Sequence, residues 1–213
     1  MSSADAARMY TRAEHAADVA IHVAGVLFAV NAGAWLLSHV TGVGVVASVS
    51  VYCAGLFAML TASAAYNLCP AGRAKDWLRR FDHAAIFIMI AATYTPFAVN
   101  RLPEPASGTI LGLVWLGATL GVTMKMLYPR RFEFANLVLY LAMGWLVVTV
   151  IRPLSARMAS LDLALLVAGG LVYSAGVAFY LSEKIPYHKA IWHGFVLVAV
   201  GLQFAAIACE FAT

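Results

Sequence analysis

Charge is scarce in this sequence. Of 213 residues only 11% are Asp, Glu, Lys or Arg, while 63% are hydrophobic. Soluble domains are about half apolar and about a quarter charged, so a water-soluble fold is excluded: a chain this size could not hide so much apolar surface. Cysteine is scarce too. Cys53, Cys69 and Cys209 show no CxxC spacing, which excludes a disulfide framework and a thiolate metal site and leaves them as small apolar side chains. Residues 1–18 hold Arg8, Arg12, Glu14 and Asp18 but no apolar core with a small-residue cleavage site, so no signal peptide is read there and the amino terminus is expected to be kept. Strict apolar–polar alternation is missing, which argues against a membrane β-barrel. No internal repeat or low-complexity tract stands out.

What is present is a series of seven apolar runs: Val19 to Val40, Val45 to Tyr66, His83 to Val99, Gly108 to Leu127, Ala135 to Ile151, Leu161 to Leu181 and Ala190 to Ala212. Each approaches the length of about 20 residues that a bilayer core requires of a helix. Lipid offers backbone groups no partners, so each run must satisfy its own hydrogen bonds as a helix. The expected fold is all-α: one domain, 1–213, a polytopic membrane bundle of seven transmembrane helices, preceded by a short cytoplasmic segment over 1–18.

The connections set the orientation. Arg8, Arg12, Arg73, Lys75, Arg79, Arg80, Lys125, Arg130, Arg131, Lys184 and Lys189 fall on one side, and only Arg101, Arg152 and Arg157 on the other. Because positive residues are retained in the cytoplasm, eleven against three puts the amino terminus inside. The net charge of +4 is explained by this topology. Basic residues lie between apolar runs rather than along one face, so nucleic acid is not an expected partner. Membrane lipids are, and the sequence names no protein partner.

Thr11 and Glu14 have capping-box spacing, which starts a helix running into the first span. Glu14, Asp18 and His22 share one of its faces at i, i+4 and i+8. The stretch Ala74 to Phe81 mixes basic residues with Trp77, Leu78 and Phe81, the pattern of a short helix at the headgroups.

The topology brings polar groups to one level. Span 2 ends at Ser63 and Asn67, span 3 begins at Asp82 and His83, span 7 begins at His188, Lys189 and His193, and span 1 contributes Asp18 and His22. Ionisable groups at membrane depth cost about 2.5–3.5 kcal/mol on insertion scales and therefore pair or line a cavity. A functional cluster is expected, above all at Asp82 and His193. The plainer alternative has Asp82 capping helix 3, Ser63 bonding back to its own helix and His188 in solvent. Gln203 lies about 15 Å beyond His193 at about 1.5 Å per residue, too far for the same site. With Asn31 and Asn136 it is expected to bond across helices. Pro96 should kink span 3, with neighbouring hydroxyls satisfying the freed backbone.

At these residues the chain resembles the hemolysin III family, relatives of the progestin and adipoQ receptors. The resemblance covers nearly the whole chain and rests on Tyr10-Thr-x-x-Glu14 with Asp18 and His22, Ser63-Ala-Ala-Tyr-Asn67, Arg79-Arg-Phe-Asp-His83 with Ile86, Thr93-Tyr-Thr-Pro-Phe97 and Ala190-Ile-Trp-His-Gly-Phe-Val196. It implies seven helices with a cytoplasmic amino terminus, and a zinc site with one His from helix 2 and two from a His-x-x-x-His motif on helix 7. An Asp at the start of helix 3 would hold a water beside the metal. Here the helix 2 ligand position is Asn67 and the first helix 7 position is Lys189. Only His193 remains, with Ser63 and Asp82 retained.

An amide is a poor zinc ligand and an ammonium repels the ion. The expected state is therefore without tight zinc, with Lys189 in place of the metal's charge and paired with Asp82. The alternative is a zinc site rescued by His193, His188 and Asp82 with help from His83, although His188 and His193 are five apart on the helix rather than stacked. The function expected is that of a hemolysin III-like integral protein of the bacterial inner membrane, active in membrane homeostasis or lipid response, with a polar cavity on the cytoplasmic side. The alternative is a zinc-dependent intramembrane hydrolase of lipid amides, in which Asp82 would orient the water or act as base and Ser63 would assist. No span carries the regularly spaced charges of an ion path.

Overall fold

The computed structural model describes residues 11–182 and 184–213. Arg8 and Tyr10, used in the charge count and the first motif, lie outside them. The described residues form seven helices long and apolar enough to cross a membrane, and no strands: α1 (Arg12–Ser38), α2 (Val43–Leu68), α3 (Arg73–Arg101), α4 (Ala106–Leu127), α5 (Glu133–Ser155), α6 (Ser160–Tyr180) and α7 (His188–Phe211). The all-α membrane bundle expected from the apolar runs is the fold observed.

α1 starts where its capping box lies. The Thr11 hydroxyl accepts the Glu14 amide at 3.2 Å and the Glu14 carboxylate accepts the Thr11 amide at 2.8 Å. α3 differs from expectation at its beginning: the stretch Ala74 to Phe81 is no separate headgroup helix but the first turns of α3 itself. Asp82 therefore lies nine residues inside the helix and caps nothing. Pro96 stands within the same continuous helix. The Thr93 and Thr95 hydroxyls bond to the Met89 and Ala91 carbonyls, which both precede the Ala92 carbonyl whose partner the proline removes, so the neighbouring hydroxyls are engaged elsewhere than expected.

The helices pack as neighbours in the order α4, α3, α2, α1, α7, α6, while α5 touches α3, α4 and α6 more sparsely. Close approach is built from small residues, as in membrane bundles generally. A Cβ on Gly55 would come within 2.7 Å of the Ala92 side chain, and one on Gly121 would overlap the buried Phe87 ring. Polar cross-links add to this: Asn100 donates to the Ser48 hydroxyl at 2.9 Å, and Trp115 to the Thr95 hydroxyl at 3.3 Å. Asn31 and Asn136, expected to bond across helices, instead donate back to the Leu27 and Phe132 carbonyls of their own turns. A short amide reaches the carbonyl four residues back without waiting for a neighbour.

α5 changes pitch midway. It is α-helical to Trp145, tightens to a 3-10 turn over Leu146–Val150 and resumes over Ile151–Ser155. The Tyr94 hydroxyl serves this irregularity. It lies 2.9 and 2.8 Å from the Met143 and Gly144 carbonyls, to which it donates, and accepts the Val147 amide at 2.8 Å.

Candidate functional site

The loose seating of α5 leaves a cavity of about 880 Å³ between α3, α5, α6 and α7. Its middle is apolar, lined by Met89, Leu137, Leu141, Leu166, Val196 and Leu197 among others. Trp145 and Val148 line it and are themselves exposed, where α5 borders α6. There the Trp145 indole donates to the Ser174 hydroxyl at 3.2 Å.

One end of the cavity is polar: His22, Ser63, Asn67, Arg79, Asp82, His83, Glu133, His188, Lys189 and His193 all line it. This is the end of the bundle at which α1 begins, so the helices deliver the expected polar groups to one level. Asp82 lies close to Ser63, His193 and Arg79. The Asn67 amide donates to the Ser63 carbonyl at 3.0 Å and approaches its hydroxyl at 3.5 Å. His83 is packed among Lys125, Arg79 and Glu133, and its carbonyl accepts the Tyr140 hydroxyl at 2.8 Å. His188 is half-buried at the cavity wall rather than in open solvent.

The expected pairing of Lys189 with Asp82 is not formed. Among the ion pairs of the described residues none joins the two; Lys189 sits at the exposed rim, where its charge bears on Asp18. The reason lies in how α7 is seated. Glu14, buried at 2% exposure, accepts the Tyr187 amide at 2.8 Å just before α7 begins, and Tyr187 takes a left-handed conformation with φ 60° to turn into the helix. This fixes the first turn of α7 against α1. His193 then faces Asp18, with Nδ1 2.6 Å from Oδ1, and its ring lies 4.4 Å from that of His22.

The metal implied by the resemblance can be tested against these residues. At the three family positions the fit fails: Asn67 is engaged with Ser63, Lys189 is a cation at the rim, and only His193 is a ligand. Nor do His193, His188 and Asp82 converge. Among the described residues, the set of three metal-compatible side chains whose ligand atoms lie within 4.8 Å of one another is Asp18, His22 and His193. The spacing of Asp18 and His22 on one face was visible in the sequence; their convergence with His193 was not.

A second charge cluster was missed. Lys125, counted from sequence among loop charges, is 1% exposed and reaches Glu133 at 2.6 Å, while Arg79 reaches the other oxygen of Glu133 at 2.9 Å. Arg79 also donates to the Pro129 carbonyl and Arg80 to that of Met126. These bonds fasten the start of α3 to the α4–α5 connection and close the polar end of the cavity on that side. The position of Lys125 inside the fourth apolar run was the available signal.

Glu133, His188 and Lys189 apart, the polar residues that line this end fall in the motifs quoted above, and the comparison with known proteins agrees. The family description Haemolysin-III related matches residues 10–204. The chain belongs to that family. It is 33% identical to the hemolysin-3 homolog of Bacillus subtilis over 202 residues, covering 93% of this chain and 95% of that protein. With hemolysin-3 of Bacillus cereus it shares 33% over 197 residues, 91% of this chain and 90% of that one. Human monocyte to macrophage differentiation factor is 30% identical over 165 residues, 74% of this chain and 67% of that protein. No solved structure matches the chain. As a haemolysin-III-related protein with seven apolar helices, it is a multi-pass membrane protein.

Proposed function

We propose that this haemolysin-III-related protein responds to membrane lipid, in the service of membrane homeostasis, by holding an acyl chain in the cavity with the lipid's polar part against Asp82 and its neighbours. The cavity carries the proposal. Its volume of about 880 Å³ falls within the roughly 300–1,000 Å³ of small-molecule sites, and its apolar middle and polar end match the two parts of a lipid. The polar end faces the cytoplasm and the protein resides in the bacterial inner membrane, readings supported by the excess of basic residues at that end and by the Bacillus relatives. The other reading, a zinc-dependent lipid-amide hydrolase, requires a metal-activated water beside Asp82. The amide at Asn67 and the cation at Lys189 weigh against it.

The test is native mass spectrometry of the protein purified in mild detergent, beside Gly170→Leu. Gly170 lines the cavity and a Cβ there would meet nothing within 4 Å, so leucine fills space without clashing. Wild type should retain one lipid and the variant should lose it. Equal retention by both, or none by wild type, would sink the proposal.

A further inference from the structure

We propose that Asp18, His22 and His193 form a binding site for a first-row divalent metal ion, of the zinc class, in the interface between α1 and α7. This ligand set draws two of its members from α1 and shares only His193 with the positions the family resemblance implies.

Three observations carry it. The first is convergence: ligand atoms of all three side chains lie within 4.8 Å of one another. His22 Nε2 is 3.6 Å from Asp18 Oδ1, and His193 Nδ1 is 2.6 Å from the same oxygen. Bonds of about 2.1 Å in a tetrahedral site put ligand atoms about 3.4 Å apart, so closure onto an ion needs shifts well under the length of a bond. The ion would replace the present contact between His193 and Asp18.

The second is an orphaned atom. His22 is 5% exposed, and its Nε2 has no hydrogen-bond partner. A buried polar atom left unsatisfied is destabilising, and the lone pair of a neutral imidazole nitrogen is the commonest protein ligand for such metals. This nitrogen points at the carboxylate from too far to bond it and from the right distance to share an ion with it.

The third is the chemistry of the set. Two imidazoles and one carboxylate suit zinc and its first-row neighbours, whereas magnesium and calcium take oxygen shells. Three protein ligands leave a coordination position open, and His22 and His193 both line the cavity. Asp18 and His22 are locked one turn apart on α1, and the bond from Tyr187 to Glu14 holds the start of α7 beside them. Lys189, whose charge bears on Asp18, opposes the ion, so its removal should tighten binding.

The experiment is a cobalt titration of detergent-purified protein after chelator treatment, followed by visible absorption and by metal analysis. Wild type should bind a single Co²⁺ per chain with ligand-field bands, and Zn²⁺ should displace it. Asp18→Asn and His22→Phe should each weaken binding by more than about tenfold, the lower end of what even outer-shell losses cost. Asn67→Ala should leave it unchanged. Lys189→Gln should strengthen it, a result that misfolding cannot mimic. The proposal is overturned if wild type shows no saturable site, if binding survives Asp18→Asn and His22→Phe, or if Asn67→Ala abolishes it.

Discussion

The carboxylate of Glu14 accepts the backbone amide of Tyr187 at 2.8 Å, across 173 positions of sequence. The same carboxylate takes the Thr11 amide at 2.8 Å, so one buried side chain both caps α1 and seats α7.

Removing it takes the charged partner from two amide donors, and hydrogen bonds to charged groups contribute about 1.5–3 kcal/mol each. Glu14→Ala should therefore lower the thermal midpoint in detergent distinctly more than Thr11→Ala, which loses only a cap worth about 0.5–2 kcal/mol. Equal losses for the two variants would show that the link to Tyr187 contributes nothing.

Tyr94→Phe keeps the ring and deletes the hydroxyl that serves the pitch change in α5. Its amide and carbonyl partners lie at membrane depth, where water cannot replace the bond. The expected destabilisation is about 1–3 kcal/mol, read by thermal unfolding, with faster hydrogen exchange confined to Met143–Val150. Unchanged exchange there would refute the assignment.

Orientation is tested by cysteine labelling in a background with Cys69 and Cys209 replaced by Ser. Glu104→Cys, in the connection between α3 and α4, should react in intact cells with an impermeant maleimide, and Arg130→Cys, between α4 and α5, only after lysis. The reverse pattern would overturn the reading from basic residues.

Much of this architecture was legible in the sequence because lipid leaves so few options: apolar runs of spanning length have to be helices, and Thr11 with Glu14 marked the first start. The level of the polar groups followed from counting turns. Their pairing did not, because it depends on how each helix is rotated about its axis. α7 is set by the contact of Glu14 with Tyr187, which turns His193 toward Asp18 and leaves Lys189 at the rim. Lys125 was misread for a related reason: a lysine near a helix end looks the same in sequence whether it snorkels outward or turns in to meet Glu133. Asn31 and Asn136 found partners within their own turns, a local choice that apolar spacing does not report.

The seam between α5 and α6 has a consequence for whatever enters the cavity. Among the described residues one side-chain hydrogen bond, from Trp145 to Ser174, crosses it; Leu141, Val148 and Leu166 beside it are hydrocarbon. An acyl chain passing sideways through that gap would exchange one oily solvent for another, with no water to shed and no driving force to gain. Entry by that route is therefore indifferent to the chemical identity of the tail, and any discrimination between lipids must be exercised where the oil ends, at the charged floor around Asp82.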